Sequence, residues 1–87
     1  MSRKLKLASV TWRDTCTHHG SFASEEVEKL KTMVVHSAGY LVQTNKKCIR
    51  LANEVFEKAD GRCREVEIID RRNILKMTVH TIEVEEN

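Results

Sequence analysis

Proline is absent from this 87-residue chain, and glycine (three), tryptophan (one), tyrosine (one) and phenylalanine (two) are scarce. A chain without proline can run long segments through sheet ladders without losing a backbone donor. No apolar run approaches the roughly 18–20 residues that a membrane-spanning helix needs. Met1-Ser2-Arg3-Lys4 is basic, but Lys6 and Arg13 interrupt the apolar stretch that follows, which is not the pattern of a secretory leader. The cysteines Cys16, Cys48 and Cys63 are odd in number and widely spaced, so no disulfide framework is indicated and a reducing cytoplasmic setting is expected. There is no Cys-x-x-Cys or His-x-x-x-His pair, no internal repeat and no low-complexity tract. Net charge is only +2, too little to dictate a partner.

The composition that remains, 40% hydrophobic and 32% charged, is that of a folded domain. One domain over residues 1–87 is expected, with a thin core, because a chain this short buries only about 60–65% of its unfolded surface. Association into a homo-oligomer is the common remedy. Nine of the fifteen basic residues fall in 46–76, mixed there with six acids, so a modest basic face is the most that the charge pattern offers.

Leu5 to Trp12 reads as a strand whose apolar residues change parity near Ala8-Ser9, which predicts a bulge or a strand covered on both faces. Arg13 to Phe22 reads as a loop turning at Gly20. Ser24, followed by Glu25 and Glu26, has the character of a helix N-cap, and Val27, Leu30 and Val34 predict a short helix over about 23–31. Met33 to Thr44 is the next strand, with Gly39 marking a bulge or sharp bend. Asn45-Lys46-Lys47 is a hairpin turn, and Cys48 to Phe56 is a strand with Ile49, Leu51 and Val55 facing inward. Lys58-Ala59-Asp60-Gly61 is a turn, and Arg64 to Ile69 is a strand with Val66 and Ile68 on one side. Asp70-Arg71-Arg72-Asn73 has the length of one 3₁₀ turn, and Ile74 to Val84 is the last strand.

The predicted fold is therefore mainly β with one short helix between strands one and two. Closing the five strands into a small SH3-like or Sm-like barrel would remove two exposed edges. The alternative is an open antiparallel sheet with the helix packed on one face.

The pattern Val10-x-Trp12-x-Asp14, Gly20, Ser37-x-Gly39-Tyr40-Leu41-Val42, Ile49-x-Leu51-Ala52, Ile69 and Ile74 resembles a group of small, mostly uncharacterised proteins encoded by phages and prophages. It spans about residues 5–82. The aromatic that follows the first glycine stands two places later here, as Phe22, and Asp70 occupies the place of a proline near the end of the fourth strand. The resemblance implies a non-enzymatic phage accessory protein that works in the host cytoplasm. Its role would be to block a host defence protein or to sequester a nucleotide-type immune signal. It carries over no catalytic residue.

The residues themselves offer three kinds of chemistry. Cys16, His18 and His19, with Cys48, Cys63, His36 and His80, are of zinc-ligating type, but their spacing fits exposed histidines and half-buried thiols better, and no metal or other cofactor is expected. Cys16, a neighbouring histidine and Asp14 are the residue types of a nucleophile, base and orienter, yet such groups normally come from separate elements of a scaffold, so no catalysis is expected. The third is a ligand platform. Trp12 and Tyr40 provide rings for a nucleobase, Arg13, Arg71 and Arg72 provide phosphate-pairing forks, and His18, His19 and Asn73 flank them. Core packing of the two rings and a solvated turn for the arginine pair are the competing explanations. A nucleotide-type small molecule or a host protein is the expected partner. The rival functions are an Sm-like or SH3-like nucleic-acid binder and a virion-assembly or other protein-interaction module.

Overall fold

The computed structural model describes residues 2–15, 18–57 and 62–85. Five strands form one antiparallel sheet: β1 (Ser2–Asp14), β2 (Met33–Thr44), β3 (Cys48–Val55), β4 (Cys63–Asp70) and β5 (Ile74–Glu85). Their order across the sheet is β4-β3-β2-β1-β5. A four-residue helix, α1 (Ser24–Val27), lies between β1 and β2, and a 3₁₀ turn, Arg71–Asn73, joins β4 to β5.

Among the described residues no ladder joins β4 to β5, so the sheet is open and the expected barrel is not formed. The chain nevertheless steps from one edge to the other within a few residues. Five flat strands would separate the edges by about 19 Å, whereas Asp70 to Ile74 reaches at most about 14 Å. The sheet must therefore curl at this end. The 3₁₀ turn lies against β1, and Ile74, the first residue of β5, pairs with Trp12.

Strand β2 carries the bend. Residues from Met33 to Tyr40 pair with β1, residues from Tyr40 to Thr44 pair with β3, and the register breaks between Leu41 and Gln43. Gly39 sits just before the break, where a Cβ would stand 2.9 Å from the Ala52 carbonyl oxygen. The glycine is needed for close approach of two backbones. Strand β1 changes its covered face as the sequence indicates: Leu5 and Leu7 are half-buried, then Ala8 and Val10 are buried. Pairing with β2 is unbroken from Leu7 to Asp14, so no bulge causes this; the only irregularity in β1 is against β5, between Thr11 and Trp12. Both faces of β1 are covered in succession.

The core is small. Ala8, Val10, Ile49, Leu51 and Ile69 are buried together, and Trp12, Leu41, Ile74 and Met77 pack on them. In β4 the core residue is Ile69, while Val66 and Ile68 are exposed at 46% and 60%. Glu65, whose φ of 55° is left-handed, drops out of the ladder between Ala52↔Val66 and Glu54↔Arg64, but the register is the same on both sides of it, so Ile69 lies on the face opposite Val66 and Ile68. The helix is shorter than the sequence predicts and buries none of its residues, and its N-cap is Ala23 with no side-chain cap bond, not Ser24. Val34 belongs to β2, which removes the apolar repeat that would have lengthened the helix. The turn expected at Lys58-Ala59-Asp60-Gly61 lies outside the described residues.

Such a sheet leaves much of itself uncovered. A compact chain of this mass exposes about 5,300 Å², and this one exposes 6984 Å². Its radius of gyration is 17.3 Å, against about 12 Å for a compact domain of this length.

Candidate functional site: two basic clefts

The candidate site residues divide among three places. Trp12 packs on the core, and its indole Nε1 donates to Ser37 Oγ at 3.0 Å. Arg13 pairs with Val34 and, as the next residue along the strand, points to the opposite face. His18 and His19 are exposed in the loop after β1, where His18 Nε2 lies 3.0 Å from the Lys31 carbonyl. A carbonyl only accepts, so this nitrogen carries the hydrogen. Cys16 lies outside the described residues. Among the described residues no three His, Cys, Asp or Glu side chains come together as a metal site. No helix among them is long and apolar enough to cross a membrane.

Arg71 and Arg72 belong to a basic cleft at the curled end. It is lined by Lys46, Lys47, Asp70, Arg71 and Arg72 and has a volume of about 440 Å³. Each arginine is held in place. Arg71 donates through Nε to the Asn45 carbonyl at 2.5 Å and through Nη2 to Thr44 Oγ1. Arg72 donates to both carboxylate oxygens of Asp70, at 3.2 and 2.8 Å. Asp70 also caps the 3₁₀ turn by accepting from the Arg72 backbone N–H at 2.9 Å. These bonds to Arg72 hold the Asp70 carboxyl down at about 2. The turn between β2 and β3 is fixed in the same way, with Asn45 Oδ1 accepting from the Lys47 and Cys48 backbone N–H groups at 2.8 and 2.9 Å. Asn73 follows on the same 3₁₀ turn, half-buried next to Ile74 and hence near Trp12. The structure thus brings the turn toward Trp12 through Asn73, while both arginine side chains are engaged on the side of the β2–β3 turn.

Tyr40 lies in a second cleft, of about 470 Å³. This cleft opens where β2 leaves β1: the β1–β2 ladder stops at Leu7↔Tyr40, and residues Ser2 to Lys6 pair with β5 alone. The first half of β1 forms one wall, the second half of β2 another, and Val55, Arg62 and Cys63 close it. Arg3 donates to the Phe56 carbonyl and ties the first wall across to the end of β3. Four basic residues line the cleft (Arg3, Lys4, Lys6 and Arg62), with Tyr40, Gln43 and Thr44 as further polar groups and Leu5, Leu41 and Val42 as apolar surface. None of the described lining residues is acidic or a histidine. Basic and apolar groups around one space equip the cleft to hold an anion with an apolar or aromatic portion.

The basic residues of this cleft are absent from the candidates that the sequence suggests. A signal was present in Arg3-Lys4-x-Lys6, where three cations crowd the start of a strand. Lys46-Lys47 at the hairpin turn was a similar signal for the other cleft.

Compared with known protein families, with curated proteins and with solved structures, the chain matches none. The functional reading therefore rests on the clefts.

Proposed function

We propose that this chain is a non-enzymatic binding protein that captures a nucleotide-type anion and works as a homo-oligomer. The observation that carries the reading is the cleft at the β1–β2 divergence, lined among the described residues by four cations, no carboxylate and a tyrosine. A phosphate gains from several cations around one space, and a ring or apolar wall beside them suits a base. Sequestering a host's nucleotide signal is the accessory role that the resemblance to phage proteins implies. Capture of that kind needs donors, a shelf and many copies, but no reaction.

Light scattering together with a thermal-shift screen of linear and cyclic nucleotides tests this reading. A ligand at one hundred times its dissociation constant stabilises the fold by about 2.7 kcal/mol. A flat screen on a monomeric protein would refute the reading. The pinned arginines of the other cleft, with Lys46 and Lys47 beside them, favour nucleic acid as a second reading. RNA binding whose affinity falls steeply with salt, alongside a flat nucleotide screen, would decide for it.

A further inference from the structure

We infer that copies of this chain associate through β5, edge to edge and antiparallel, so that the sheet continues from one copy into the next. The inference rests on the oligomeric part of the function proposed above and is independent of what the clefts bind.

Strand β5 is twelve residues long, Ile74–Glu85, and among the described residues β1 is its only strand neighbour. Its other edge presents a row of backbone donors and acceptors to solvent. Edge strands that stay single are usually short, interrupted by proline or a central bulge, or rich in lysine. β5 has no proline, its lysine and acids stand toward its ends (Lys76, Glu83 and Glu85) with none from Met77 to Ile82, and its register against β1 is continuous from Lys76 to Glu85. Leu75 and Val79 are exposed on it at 51% and 40%.

The far half of β5 runs past the end of the β1–β2 ladder, where Arg3 ties its partner strand across to the Phe56 carbonyl. Residues Thr81 to Glu85 pair with Ser2 to Lys6, which have no second strand beside them on the β2 side. A two-stranded ribbon is marginal alone and becomes stable when a third strand joins it. A second β5 supplies one to each copy.

The exposed area points to an occupant of the same size. The chain's 6984 Å² exceeds the surface of a compact chain of equal mass by about 1,700 Å². A standard interface takes about 800 Å² from each partner. The excess is large enough for such an interface on every chain. A second copy is the partner that offers an identical open edge, and self-pairing of antiparallel strands satisfies both edges under one two-fold axis.

The axis locates the test residue. A two-fold axis normal to the sheet keeps each side chain on its own face, so directly paired positions must share parity. The midpoint of β5 lies between Val79 and His80. With the axis at either residue, Val79 meets its own copy directly across the interface or one diagonal away.

The experiment compares wild type with Val79→Lys, Val79→Glu, an equimolar mixture of these two, and Ile68→Lys on the opposite edge strand, all by sedimentation and light scattering. Like charges meeting at the axis weaken association by more than about tenfold. Each Val79 variant alone is expected to be largely monomeric, the mixture to associate again, and Ile68→Lys to behave as wild type. Val79 variants that associate as tightly as wild type would overturn the inference, as would a loss confined to Ile68→Lys. A monomeric wild type would overturn the oligomeric reading itself, which separates the two failures. Should the Val79 variants melt, hydrogen exchange of the wild type reads the same contact. The β5 amides should gain protection with rising concentration while those of β4 do not, and equal or absent gains would count against the edge.

Discussion

Replacing Gly39 by alanine should destabilise the protein, although glycine-to-alanine changes in extended chain usually help. The usual gain is about 0.4–1 kcal/mol, because alanine leaves the unfolded chain less freedom to lose. At Gly39 the added methyl would stand 2.9 Å from the Ala52 carbonyl oxygen and 3.4 Å from Leu51 Cβ. The first of these is a backbone atom in β3, held between the ladders to β2 and β4. It cannot swing away as a side-chain tip would, so β2 and β3 must separate at the bend. Forcing a methylene into such packing costs about 1–3 kcal/mol. Set against the entropic gain, the net loss is about 1–2 kcal/mol, or roughly 5–15 °C in Tm for a domain of this size. Thermal melting at matched protein concentration measures it, since association makes Tm concentration-dependent. An unchanged or raised Tm would refute the claim that β2 must approach β3 this closely.

Ile69→Ala empties a position that is 0% exposed and faces Ile49 across the β3–β4 ladder; urea unfolding should show a loss of about 2–5 kcal/mol. Ser37→Ala removes the acceptor of the Trp12 indole N–H and should cost about 0.5–1.5 kcal/mol by the same assay, with a changed indole fluorescence. Asp70→Asn removes the ion pair to Arg72 and should lower stability at neutral pH. The folded carboxyl is held at about 2, below its ordinary 3.8, so its contribution is complete above the unfolded value and disappears as pH falls through the folded one. Melting curves of wild type and Asp70→Asn should therefore converge between pH 3.8 and about 2.

Much of the strand layout was legible because its signals are local. Met33–Thr44 agrees at both ends with the β-rich run, the Asn45 turn is fixed by its own side chain, and Asp70-Arg71-Arg72-Asn73 holds the single 3₁₀ turn that its length suggests. The helix was overestimated because Val27, Leu30 and Val34 show helical spacing although Val34 serves β2. In β4, alternation set Val66 and Ile68 on one side, but the ladder pairs Ile69 with the buried Ile49 and makes the other side the inward one. Barrel closure was a global inference from two exposed edges, and a chain can protect an edge by association as well as by closure. The candidate site was only partly legible. Tyr40, Arg71 and Arg72 each line a cleft, but Arg3, Lys4, Lys6 and Arg62 come from the start of β1 and the approach to β4. Only the bend of β2 at Tyr40 brings these distant segments around one space, and no spacing in the sequence records it. Trp12, the most conspicuous residue in the sequence, anchors the end of β1 on the core through its ring and through Ser37.

The central claim is that the cleft beside Tyr40 holds the captured anion, and calorimetric titration of the tightest nucleotide from the thermal-shift screen tests it most directly. Lys6 is exposed on β1 and lines that cleft, whereas Arg72 lines the other. Lys6→Glu should weaken binding by about tenfold or more, with Arg72→Ala binding as wild type does. Undiminished binding by Lys6→Glu, or a loss that follows Arg72→Ala instead, would contradict the account.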